Sequence, residues 1–165
     1  MNNTTLKDAI LAALVGSTAL QAWSQGYFNQ QVSVFDGIER NQLPDPLDEA
    51  ASVSGDYPFI AVDLDTKESG PGSEIEAVEV SFFAALLDDH KYDASSFPLI
   101  RLPGIKKREA MRLLLLAAVK GVDLDGGRIT TIESVNLPVE YFPEFAVDIT
   151  IRIERPYVFR DNNFE

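Results

Sequence analysis

Ten residues near the end of the chain alternate in character. Phe145, Val147, Ile149, Ile151 and Ile153 are large and apolar, and Ala146, Asp148, Thr150, Arg152 and Glu154 stand between them. A period of two sends the first set to one side of a strand and the second set to the other. Five large apolar side chains on one face have to be covered, so this strand belongs to a sheet with a second layer packed against it.

The covering layer is legible elsewhere in the chain. Leu6, Ala9, Ile10, Ala13 and Leu14 fall at helical spacing after Thr5-Leu6-Lys7-Asp8, a hydroxyl followed three residues on by an acid. Gly16 closes that helix. Ser17 or Thr18 opens a short second helix running through Trp23, with Gly26 as its expected end. A longer helix spans 105 to about 120 and is stopped by Gly121. Strands are expected at 31–38, at 57–64, at 74 to about 86, where Val78, Val80 and Phe82 share a face, and at 128–137 after the Asp125-Gly126-Gly127 turn. The run 57–64 is nearly all apolar, as in a strand covered on both faces. The expected class is α+β: a mostly antiparallel β-sheet packed against one long and one or two shorter helices. One domain covers residues 1–165, with long connections at about 36–56 and 88–103 and a polar tail at 156–165.

Composition removes chemistry. The chain has no cysteine, which excludes disulfides, thiolate metal sites and a cysteine nucleophile. Its one histidine, His90, excludes any site needing two imidazoles. No apolar run reaches the roughly 18 residues of a membrane span, and residues 9–15 do not read as a signal peptide. The expected working place is the cytoplasm. A net charge of −12 argues against gripping nucleic-acid phosphates; it suits solubility, repulsion of DNA, or a basic partner.

Two features of the 105–120 helix stand out. Residues 113–119 are all apolar, although a helix on a single sheet needs only one apolar stripe. Either the amino-terminal helix or another subunit must cover the remainder. Its first turns carry Lys106, Lys107, Arg108 and Arg112, a basic cluster in an acidic chain. That cluster is either a solvated face or one half of a seam between copies. Asp45, Asp48 and Glu49 of the long acidic connection would supply the other half.

Catalytic alternatives are few. Asp63, Asp65, Asp88 and Asp89 lie near strand ends, where carboxylates can bind Mg²⁺, but aspartate is also an ordinary turn residue. Asp123-Leu124-Asp125-Gly126-Gly127 looks like part of a calcium loop without its bidentate glutamate. No phosphate-binding or dinucleotide glycine fingerprint is present. A metal-dependent hydrolase and a binding module for a basic host protein stay open beside the non-enzymatic reading, with no catalytic, cofactor or metal residue assigned.

The order of elements resembles the tail terminator (tail completion or tail-to-head joining) proteins of long-tailed bacteriophages. The residues carrying the resemblance are the Thr5-Leu6-Lys7-Asp8-Ala9-Ile10-Leu11-Ala12-Ala13-Leu14 helix, then Gln31-Val32-Ser33-Val34-Phe35-Asp36, then Asp56-Tyr57-Pro58-Phe59-Ile60-Ala61-Val62. Ile75-Glu76-Ala77-Val78-Glu79-Val80-Ser81-Phe82-Phe83, a helix, and the closing strand 145–154 follow. The connections at 36–56 and 88–103 look longer than in compact members of that family. The resemblance implies a virion protein of the tail or neck, assembled in the host cytoplasm. It would form a hexameric ring on the tail tube, end tube growth, and join head or neck proteins, with DNA passing through the bore. A different neck or tube protein is the nearest alternative.

Overall fold

The computed structural model is described for residues 3–38, 43–44, 57–68, 75–89, 103–124, 126–137 and 143–156, and for 66–68 in backbone only. Three helices and five strands follow in the order α1 (Asn3–Gly16), α2 (Thr18–Phe28), β1 (Ser33–Asp36), β2 (Phe59–Glu68), β3 (Ile75–Leu87), α3 (Pro103–Lys120), β4 (Arg128–Asn136) and β5 (Glu144–Pro156). The fold is α+β. The strands form one sheet in the order β1-β2-β3-β5-β4. Three of its four ladders are antiparallel, while β1 runs parallel to β2, so the sheet is mixed.

The alternating segment becomes β5, an inner strand. Phe145, Val147, Ile149, Ile151 and Ile153 are all buried on one face, together with Val78, Val80, Phe82, Ala84 and Leu86 of β3. Leu6, Ile10 and Leu14 of α1, Leu20 of α2, and Met111, Leu115 and Val119 of α3 close over them. Each large aliphatic side chain so buried contributes about 1.5–3 kcal/mol. The opposite face is divided. Near the start of β2, Tyr57, Phe59, Ala61, Phe83, Ala85 and Ala146 form a second, smaller core. Residues 57–62 are therefore buried on both sides, as their apolar run requires. Further along the strands this face lies open.

Local chemistry sets the element ends. Ser17 caps α2, accepting from the Leu20 amide at 3.3 Å. The helix continues past Gly26, contrary to the sequence expectation, and ends at Asn29 in the left-handed region (φ 56°). Glycine is a weak helix former but does not by itself stop one; the residue taking up the left-handed turn does. Thr5 lies within α1, which starts at Asn3. The strand expected at 31–38 shrinks to the four residues of β1. The turn before β4 holds Gly126 at φ 77°, with the Gly127 amide donating to the Leu124 carbonyl at 3.0 Å. Pro58 follows a cis peptide bond immediately before β2.

Gly104 fixes where α3 meets the sheet. A β-carbon there would stand 2.3 Å from the Phe145 ring. The first turn of α3 therefore rests on an aromatic ring that has nowhere to go. The all-apolar stretch of α3 is covered from within the chain, since both α1 and α2 pack on it. The cover is incomplete: Leu113 is 54% exposed and Ala117 is also exposed. No described helix is long and apolar enough to cross a membrane.

Candidate functional site

The basic first turns of α3 do not form one patch. Of the four, Lys106 alone is exposed. Lys107 Nζ lies 2.8 Å from Asp88 Oδ2, whose side chain is only 1% exposed, and stands over the rings of Tyr27 and Phe28 at 5.4 and 5.6 Å. It joins the end of β3 to α2 and α3. Arg108, expected on a solvated or subunit-facing turn, is buried; its Nη1 donates to the Leu137 carbonyl at 3.2 Å and the Ala146 carbonyl at 3.4 Å. Burial pushes its guanidinium below the ordinary value, and the neighbouring Glu109 opposes that shift. Arg112 donates from Nε to Glu109 Oε2 at 3.0 Å. This hydrogen bond holds the Glu109 carboxyl below the usual carboxylate range and raises Arg112.

The physical reason for this redistribution is the helix approach set by Gly104. Once the first turn of α3 sits directly on Phe145, the side chains at 107 and 108 point at the sheet end rather than at solvent. The acidic half of the expected seam, Asp45, Asp48 and Glu49, lies outside the described residues.

The aspartates considered for metal chemistry separate into two places. Asp63 and Asp65 sit on β2, opposite Ser81 and Glu79 of β3. Asp88 lies seven residues beyond Ser81, about 23 Å along the strand direction at the usual rise. Asp63 accepts from the Leu64 amide at 2.8 Å and lies 3.7 Å from Lys7, which also pairs with Asp36. No group of three metal-ligating side chains converges among the described residues.

What the strands do bring together is the open half of the sheet face. The register aligns Asp65, Glu79, Arg152 and Thr131 in one row, and Asp63, Ser81, Thr150 and Glu133 in the next. Asp148 and Val135 follow in a third row, where the smaller core begins. Asp63, Asp65, Glu133 and Asp148 are exposed, and among the described side chains the cations on this face are Arg152 and, beside Glu154 at its end, the exposed Arg128. The surface is a mainly acidic lattice carried on hydrogen-bonded strands. At the far end of the sheet Arg155, 6% exposed, pairs with Glu76 at 2.8 Å and with Asn3. A sequence reading confined to residues 145–154 passes over it. Its position, two beyond Ile153, places it on the helix-covered face.

No protein-family model matches the chain, and a search of curated proteins finds none with significant similarity.

Proposed function

We propose that the chain is a structural virion protein of a long-tailed bacteriophage, a tail terminator. It forms a ring, of six copies by the family resemblance, on the last tier of tail-tube subunits. There it ends tube growth and provides the joint to the head or neck. The role is assembly rather than catalysis, and it needs no cofactor.

The observation that carries the reading is the two-sidedness of the sheet. One face is sealed by helices, and the other presents Asp63, Asp65, Glu133 and Asp148 to solvent in a chain of net charge −12. A protein surrounding DNA that must slide past gains from a wall that repels phosphate, whereas a DNA-gripping protein needs the opposite sign.

Sedimentation velocity and negative-stain imaging, at several concentrations and with or without tail-tube subunits, test the proposal. A closed ring is expected, alone or on tube ends. Open-ended growth of the pure chain would reassign it to a tube subunit. A monomer under every condition, including with tube ends present, would defeat the reading.

A further inference from the structure

The sheet has two unequal edges. Among the described residues nothing pairs with the outer side of β1 or of β4. β4 is nine residues long and exposed along nearly all of its length, with Ile132 37% and Val135 61% exposed. It carries one acidic and one basic residue, no proline and five β-branched side chains. A long edge of this kind is a template for another strand.

Direction can be read from the topology. β1 and β2 are parallel, and each later neighbour in the sheet reverses: β3 against β2, β5 against β3, β4 against β5. β1 and β4 therefore run in opposite directions. If copies are placed side by side in one orientation, β4 of one meets β1 of the next antiparallel, the more favourable pairing.

Hydrogen-bond phase can be read as well. The amides of Ser33 and Gly37 donate inward, to the carbonyls of Pro58 and Val62, so alternation turns the backbone groups of Val34 and Asp36 outward. On β4 the ladder ends with the Leu137 amide donating inward to Ala146, so Asn136, Ser134 and Ile132 present theirs outward. Val34 and Asp36 share the helix-side face with Asn136 and Ser134, as their sheet partners show. Facing and hydrogen-bond phase thus agree between the two edges.

Side chains choose among the registers that remain. Setting Phe35 opposite Val135 makes an aromatic–β-branched pair, puts Asp36 across from Ser134 and Val34 across from Asn136, and avoids the irregularity between Ile129 and Thr131. Sliding by two residues one way sets Asp36 against Ile132, and by four runs β1 onto the irregularity; sliding by two the other way carries Val34 past the end of β4. A two-fold β4–β4 contact is the competing arrangement, since it can set Val135 on Val135 with Ser134 opposite Asn136; the single Ser134→Cys variant separates the two.

We infer that the β4 edge of one copy pairs antiparallel with the β1 edge of the next, Asp36 opposite Ser134, so that the sheet continues from copy to copy around the ring. This inference rests on the ring reading and specifies its seam. Opposite edges of one subunit make a head-to-tail contact, which gives a ring when the rotation between copies closes. The bulky helix layer then lies outside and the acidic lattice faces the axis. Six five-stranded sheets at about 4.8 Å per strand give a circumference on the order of 140 Å and a bore of about 45 Å between backbones.

The chain contains no cysteine, so the engineered thiols are the only ones it carries. The test is the Asp36→Cys/Ser134→Cys variant treated with a short bismaleimide in the presence of tail-tube subunits, read on a denaturing gel beside imaging. Expected is a covalent ladder extending beyond the dimer from the double variant and none from either single variant. Ser134→Pro, which removes only an outward amide, should abolish the ring while leaving the circular dichroism spectrum unchanged. A ring without a ladder places the seam elsewhere and overturns this inference while the terminator reading stands. A cross-linked dimer from Ser134→Cys alone means β4 meets β4, which also overturns it. Neither ring nor ladder removes both.

Discussion

Gly104→Ala is the sharpest single test of how α3 is seated. The added methyl would meet three atoms of the Phe145 ring at 2.3, 2.4 and 2.7 Å, where carbon–carbon contact belongs at about 3.5–4.0 Å. The ring is fully buried and cannot swing into solvent, so ring or helix must shift by more than 1 Å. Overpacking on this scale destabilises by about 1–3 kcal/mol, and the upper end applies because the clash is with a rigid ring. Alanine returns up to about 1 kcal/mol as the better helix former, leaving a net loss of about 1–2 kcal/mol. Urea unfolding followed by the single tryptophan, Trp23, which packs edge-on against Phe28, measures it. Phe145→Leu should be destabilising by itself through the cavity it leaves. In the double variant the two losses should fall short of their sum by about 1 kcal/mol or more, since the smaller side chain makes room for the methyl. Additive losses, or a Gly104→Ala variant more stable than wild type, would refute the proposed seating.

Two further tests concern the charges of the same helix. Arg108→Met, which removes donors from two carbonyls, should lower stability by about 1.5–3 kcal/mol, and Arg108→Glu by more. Lys106→Glu should stay within about 0.5 kcal/mol of wild type; equal effects at 106 and 108 in urea titrations would show that the burial of Arg108 is wrong. The Glu109–Arg112 pair depresses the Glu109 carboxyl, so its stabilisation is complete above the ordinary carboxylate range and is lost as pH falls through the lowered value. Both groups are partly exposed, so the difference in unfolding free energy between wild type and Arg112→Gln should be only about 0.3–0.5 kcal/mol at pH 7 and shrink on acidification. A difference that grows on acidification would contradict the assignment.

The sequence made the layers legible because periodicity depends only on which side of an element faces the core. The β5 alternation, the α1 stripe of Leu6, Ile10 and Leu14, and the glycine stops at 16 and 121 all act within a few residues. Long-range placement was hidden. The parallel pairing of β1 is decided by contacts with residues 59–62, far along the chain. The clustered cations at 106–108 looked alike in sequence, yet a helix turns each by about 100°, and Gly104 determines which of them face inward. An acid-rich chain was obvious from composition; that Asp63, Asp65, Glu133 and Asp148 share one open face follows only from register.

The placement of β5 has a consequence for the order in which the core closes. β5 lies in the interior of the sheet, between β3 and β4, and its Arg155 holds Asn3 of α1. The apolar faces of β3 and α1 therefore stay partly bare until β5 pairs with β3. Contacts spanning nearly the whole sequence slow folding. Until they form, the chain carries bare strand edges.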